Sequence, residues 1–138
     1  MMATIDVWQR RCRYGLSAFY GAAGSLHIVI PRPFLGITPT WVPDPKVVIL
    51  LTGLLEIAGA IGLVVPQLRN TAAIGLALYA VCVFPANINH AIDGLGAATV
   101  SPWQWLYHLV RLPLQPPLVW VALFSGKVVA WPFSRDHK

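Results

Sequence analysis

Charge is scarce in this chain: Asp, Glu, Lys and Arg together make up 11% of its 138 residues, against 57% hydrophobic residues. A chain of this size folded in water would have too little polar side chain to cover its surface, so an ordinary soluble domain is a poor reading. Cysteine is scarcer still, with two residues in all. Cys12 and Cys82 fall at different depths in the layout below and form no CxxC pair, which leaves thiol redox chemistry little to work with. There is no phosphate-binding loop, no dinucleotide fingerprint, no HExxH pair and no Ser-His-acid arrangement. Internal repeats and low-complexity tracts are also missing. The net charge of +5 has no nucleic-acid-binding feature behind it and is read as attraction to anionic lipid.

What the chain does have is apolar length. Four stretches, about Arg13 to Ile30, Val47 to Pro66, Thr71 to Ile92 and Leu112 to Trp131, each approach one membrane crossing, and mean hydropathy is +0.63. The pattern predicts an all-α integral membrane four-helix bundle forming one domain over residues 1–138. With both termini inside, the inner flanks hold Arg10, Arg11, Arg13, Arg69, Lys127, Arg135 and Lys138, and the outer loops only Arg32, Lys46 and Arg111. That bias predicts N-in, C-in insertion as a multi-pass protein of a bacterial cytoplasmic (inner) membrane. Trp8 and Trp131 then fall at the inner interface and Trp41, Trp103 and Trp105 at the outer one, while Trp120 lies inside the fourth stretch and reads as packing. The Pro66–Asn70 link predicts a tight turn between antiparallel neighbours. Between Pro31 and Lys46 five residues are proline, which predicts a non-helical loop folded over the outer ends, a candidate lid. Ser101 followed by Pro102 predicts the capped start of a short interfacial helix.

Against this apolar background a few polar residues carry the information. Glu56 has about ten apolar residues on each side, and a carboxylate there is costly unless protein surrounds it. His27 near the outer end of the first stretch, Asn87 and His90 in the third, and Arg111 and Gln115 at the start of the fourth all fall in the outer half or at the midplane. Asn87 and His90, three apart, share a helix face that Asn89 does not. Arg111 and Gln115 share one if the helix survives Pro113. Each residue alone has a bland reading: a structural hydrogen bond for Glu56 or Gln115, a hydrated ring for either histidine, an Arg111 that snorkels to phosphates. Together they predict a cavity with acid and base groups (Glu56, His27, His90) and groups that recognise an anion or carbonyl (Asn87, Arg111, Gln115). His27, Glu56 and His90 also make a conceivable three-ligand metal set, without any local ligand motif behind it. The glycines of the first two stretches, Gly21, Gly24, Gly53, Gly59 and Gly62, with Ala60, predict close helix packing.

Three segments, GLLEIAGAIGLVVPQLR from Gly53, FPANINHAI from Phe84 and RLPLQPPLVWVA from Arg111, resemble the DoxX-like family of small four-helix bacterial membrane proteins. The likeness also takes in the region of His27. It implies a four-helix bundle with Glu56, Asn87, His90, Arg111 and Gln115 at the family's recurrent polar positions. The family takes its name from a subunit of a thiosulfate:quinone oxidoreductase, and other members are associated with membrane redox or oxidative-stress systems. On fold-level analogy this implies a small-molecule-binding protein or subunit linked to quinone or other redox metabolism. Such a subunit needs an apolar slot ending near Glu56 and His27, and a redox partner protein, because the chain itself encodes no redox centre. Two alternatives stand beside it. One is a membrane isomerase or hydrolase of a lipophilic substrate. The other is a structural, assembly or transport subunit, whose signature is polar residues paired with one another and no cavity. The small-residue face of the second stretch leaves a homodimer open.

Overall fold

The computed structural model describes residues 2–97 and 99–133; Arg135 and Lys138 of the expected inner flank lie outside the described residues. Every regular element among them is helical: α1 (Met2–Val29), α2 (Arg32–Gly36), α3 (Pro45–Val64), α4 (Arg69–Leu95), α5 (Pro102–Arg111) and α6 (Gln115–Ser125). Contacts run α1 to α3, α3 to α4, α4 to α6 and α6 back to α1, so these four form a ring of neighbours. Two of them, α3 and α4, are long and apolar enough to cross a membrane. The first half of α1 carries Arg10, Arg11 and Arg13, which lowers its hydropathy.

A mixture of small and large apolar side chains holds these helices together. Leu16, Tyr20, Ala60, Leu63, Ala73, Leu76, Ala77 and Ala122 form the buried cluster. Gly24 and Gly53 mark the crossing of α1 and α3. A Cβ on Gly24 would lie 2.5 Å from the Gly53 carbonyl oxygen, and one on Gly53 would lie 2.9 Å from the Gly24 oxygen and from His27 Cβ. The backbones therefore touch where any side chain would hold them apart. Arginines close the opposite end. Arg13, 6% exposed, donates from Nε to the Ser125 carbonyl (3.0 Å), and Arg69 Nε reaches the Leu63 carbonyl (3.4 Å), so cations sit at the carboxyl ends of α6 and α3, where the helix dipole favours them. Nearby, Lys127 Nζ and Asp6 Oδ1 pair at 2.6 Å. Lys127 holds the Asp6 carboxyl below its ordinary range by hydrogen bond and charge.

Several boundaries differ from the sequence reading. The first helix begins well before Arg13, because residues 2–12 hold no proline or glycine to stop it. The proline-rich link contains a one-turn helix, α2, contrary to the expectation of a non-helical loop. Pro31 is its N-cap and Pro33 falls within its first turn, where the missing N–H has no intrahelical partner to lose. The fourth stretch is not one helix from Leu112 to Trp131. Pro113, Pro116 and Pro117 lack the three N–H donors that a continuous helix would need here, so the chain breaks between α5 and α6. It stops again at Ser125, where Lys127 takes a left-handed conformation (φ 64°) and Val128 N–H bonds the Leu123 carbonyl (2.9 Å), the closure of a Schellman turn. Trp131 consequently folds back, and its carbonyl accepts from Trp120 Nε1 at 3.2 Å. The start of α5 follows the sequence expectation: Ser101 Oγ accepts from Gln104 N–H and the Gln104 side chain accepts from Ser101 N–H, a reciprocal cap.

Candidate functional site

The glycine crossing sets the first half of the site. With α1 and α3 in backbone contact, His27 on α1 comes to lie against Glu56 on α3: Nδ1 and Oε2 are 2.9 Å apart, close enough for an ion pair though not aligned for a hydrogen bond. The other carboxylate oxygen, Oε1, accepts from the Tyr79 hydroxyl of α4 at 2.8 Å. Glu56 is 5% exposed, so its carboxyl group faces these two neighbours rather than water. Phe34, delivered by α2, meets the His27 ring edge-on at 4.0 Å between centroids and covers this pole.

The second half is a hydrogen-bonded chain across α4, α5 and α6. Gln115 Nε2 donates to the Ala80 carbonyl (2.5 Å), and its Oε1 accepts from Asn87 Nδ2 (3.3 Å). Pro85 leaves the Val81 carbonyl without its helical donor; Gln115 takes the carbonyl one residue earlier. Asn87 Oδ1 in turn accepts from Arg111 Nη2 (2.6 Å), and Arg111 Nη1 lies 3.0 Å from His90 Nδ1. A guanidinium can only donate, so His90 Nδ1 is the acceptor and the imidazole is the neutral form with its proton on Nε2. The Tyr107 ring lies 5.4 Å from the Arg111 guanidinium carbon. The break after α5 does not separate Arg111 from Gln115 in function: both reach Asn87 from the two sides of the kink. Arg111 is thereby drawn toward the cavity. Asn89 makes a separate exposed bond to Asp93 (2.6 Å).

Both halves line one cavity of about 800 Å³. His27, Glu56, Asn87, His90, Arg111 and Gln115 all border it, and its remaining walls are mainly apolar, including Phe34, Ile37 and Pro39 of the α2 segment and Trp103 and Leu106 of α5. The six residues do not form a single cluster. Glu56 and His27 meet at one pole, whereas His90 belongs to the Arg111 pole, so the three-ligand metal set does not assemble. Among the described residues no group of three His, Cys, Asp or Glu side chains is placed to hold a metal ion.

Two participants escaped the sequence reading. Tyr79, the donor to Glu56, looks like one more aromatic residue in an apolar helix. Its signal was spacing, since Tyr79, Val83, Asn87 and His90 follow one helix face and all border the cavity. His108 is 3% exposed, edge-on to His90 at 4.8 Å, with its Nδ1 unpartnered among the described residues. Burial, assisted by the Arg111 charge, pushes its pKa below the ordinary 6.5. Below about pH 6.5 the unfolded chain therefore binds a proton that the folded chain resists, and stability falls with falling pH. Thermal unfolding in detergent is expected to show a midpoint that drops between pH 7 and pH 5, with a shallower drop in His108→Gln; equal slopes would remove His108 as the cause.

Comparison with curated proteins and with solved structures gives no match. A family model described as a domain of unknown function, DUF8561, matches residues 16–125, a segment that holds the whole cavity and both of its polar poles. By that match the chain belongs to the DUF8561 family.

Proposed function

We propose that this chain is a DoxX-like, membrane-embedded four-helix bundle that binds a lipophilic small molecule, as a binding protein or subunit linked to quinone or other redox metabolism. Membrane embedding is supported by the exposure of large apolar side chains. The interior mixes alanine and glycine with Leu16, Tyr20, Leu63, Leu76 and Phe124, while Leu51, Leu55, Ile61, Leu78 and Val81 of α3 and α4 lie more than half exposed. In water such a surface would aggregate; in lipid it is the solvated face. The discontinuous fourth crossing fits this setting, because a broken helix is tolerated in a bilayer where it borders a cavity, as Arg111, Leu114 and Gln115 do. Insertion in a bacterial inner membrane with both termini inside places Arg10, Arg11, Arg69 and Lys127 in the cytoplasmic leaflet.

The observation that carries the binding function is the cavity itself. Its volume falls within the range of about 300–1,000 Å³ usual for small-molecule sites, and its apolar walls end at two polar poles. A purely structural subunit would have its polar residues paired and the space between them filled. Asn87 and Gln115 are paired, yet the space remains. Eight residues of α4 separate Tyr79 from Asn87, roughly 12 Å along the helix, so an oxygen-bearing headgroup lying between the poles meets the Tyr79–Glu56–His27 set at one end and the Asn87–Arg111–His90 set at the other. A quinone, with oxygens at opposite ends of a flat ring, has this form. Electrons then come from a redox partner protein.

The test is mass spectrometry of small molecules retained by protein purified gently from native membranes, with Glu56→Gln processed in parallel. A lipophilic compound held by the parent and reduced about tenfold or more in the variant is the expected result, given the strength of hydrogen bonds to charged groups. A folded but empty parent with an unstable variant would transfer Glu56 to the structural reading.

A further inference from the structure

Arg111 places a full positive charge at the outer pole of the cavity, and its hydrogen-bond partners among the described residues are neutral. Nη2 donates to the Asn87 amide oxygen and Nη1 to the His90 ring nitrogen. Among the described residues no Asp or Glu oxygen lies within ion-pair distance of it. Glu56 is not its counter-ion, because that carboxylate is engaged by His27 and Tyr79 at the other pole. Asp93, on the last turns of α4, is near enough to act on His90 through space, but its carboxylate accepts from Asn89 and makes no ion pair with Arg111. A guanidinium stays protonated at any pH of interest, so it cannot relieve an apolar setting by losing its proton.

The neutral partners do something specific. Asn87 is oriented by Gln115, and Gln115 by the Ala80 carbonyl, so the amide oxygen is presented to Arg111 by a chain of bonds that begins in the α4 backbone. The Arg111 guanidinium carbon lies over the Tyr107 ring, 5.4 Å from its centroid. These contacts fix the fork while using two of its five N–H donors, and among the described residues they leave it without a carboxylate partner beside a mainly apolar cavity. A fork fixed by neutral hydrogen-bond partners and lacking a direct carboxylate partner is the arrangement that receives a planar anion, bidentate where the geometry allows.

We infer that the ligand of this cavity is a single-chain lipophilic carboxylate, its headgroup on Arg111 and its chain along the apolar walls. The inference rests on the lipophilic-ligand reading above and goes beyond it by giving the ligand a charge. It also separates two candidates that share that reading, since a quinone is neutral at Arg111 and a carboxylate is not.

Native mass spectrometry of the full chain from a non-ionic detergent tests this, with dodecanoate, dodecanol and a short-chain benzoquinone added in separate samples. The expected result is a one-to-one dodecanoate complex, favoured over dodecanol by about tenfold or more, and a preference lost in Arg111→Gln while Arg32→Gln, on the outer link, leaves it intact. Circular dichroism shows whether Arg111→Gln is folded; where it is not, the acid-over-alcohol preference of the parent decides alone. Equal retention of acid and alcohol, or retention of the benzoquinone without any acid preference, overturns the charge assignment and leaves the lipophilic cavity standing. Retention of none of the three overturns both.

Discussion

Gly24→Ala is expected to lower the thermal midpoint of the detergent-solubilised protein by about 10 °C, a single methyl group acting at the tightest point of the molecule. The added Cβ would sit 2.5 Å from the Gly53 carbonyl oxygen and within 3.0 Å of Ile57 and Glu56 side-chain atoms. A side-chain end can swing away, but the carbonyl belongs to the helix ladder of α3, so α1 and α3 must separate. Overpacking of this kind costs about 1–3 kcal/mol, and the backbone obstacle places Gly24 at the upper end. The consequence reaches the site, because the same crossing sets the His27 to Glu56 distance. Ligand retention should therefore fall along with stability. Gly75→Ala is the control: a Cβ there meets nothing within 4 Å, and alanine is the better helix former, so its midpoint should hold or rise. A Gly24→Ala protein as stable as Gly75→Ala would show that α1 and α3 are not held at this crossing.

The parts of this architecture that were legible in the sequence were those where physics leaves a residue few options. A carboxylate in the middle of an apolar run has to be enclosed, and Glu56 is. Asn87 and His90, three apart on a helix, had to share a face, and both reach Arg111. Ser101-Pro102 with Gln104 is a local cap whose partners all lie within four residues. The rest depended on tertiary information. Whether Arg111 turned inward or outward was decided by Asn87, on a helix more than twenty residues away. Tyr79 carried no signal by type, since a buried tyrosine hydroxyl matters only once its acceptor is known. The end of α6 at Ser125 was hidden because Val128, Val129 and Trp131 are as apolar as the helix they follow; hydropathy cannot tell an apolar helix from an apolar strand of chain that folds back on it. The single turn of α2 was obscured by counting prolines without asking where in a turn they fall.

Removing one member of the His27–Glu56 pair should destabilise the protein, and removing both should not. His27→Phe leaves the Glu56 carboxylate, 5% exposed, with only the Tyr79 hydroxyl, and the expected loss is about 3 kcal/mol, the low end for breaking a buried pair because that one donor remains. Glu56→Leu should cost a similar amount by stranding the imidazole against Phe34. The double variant, His27→Phe with Glu56→Leu, replaces two desolvated polar groups by apolar ones of similar bulk and is expected to return to within about 1 kcal/mol of the parent. Its ligand retention should stay abolished. Equilibrium unfolding of all four proteins in one detergent, read beside small-molecule retention, separates the two meanings of a buried polar pair. If the pair existed to hold α1 against α3, the double variant would be at least as unstable as either single one, since the Gly24–Gly53 crossing would have lost its polar clasp. If stability returns while the ligand does not, the helices were held by the glycines all along. His27 and Glu56 are then kept, at a cost in desolvation, for what they meet in the cavity.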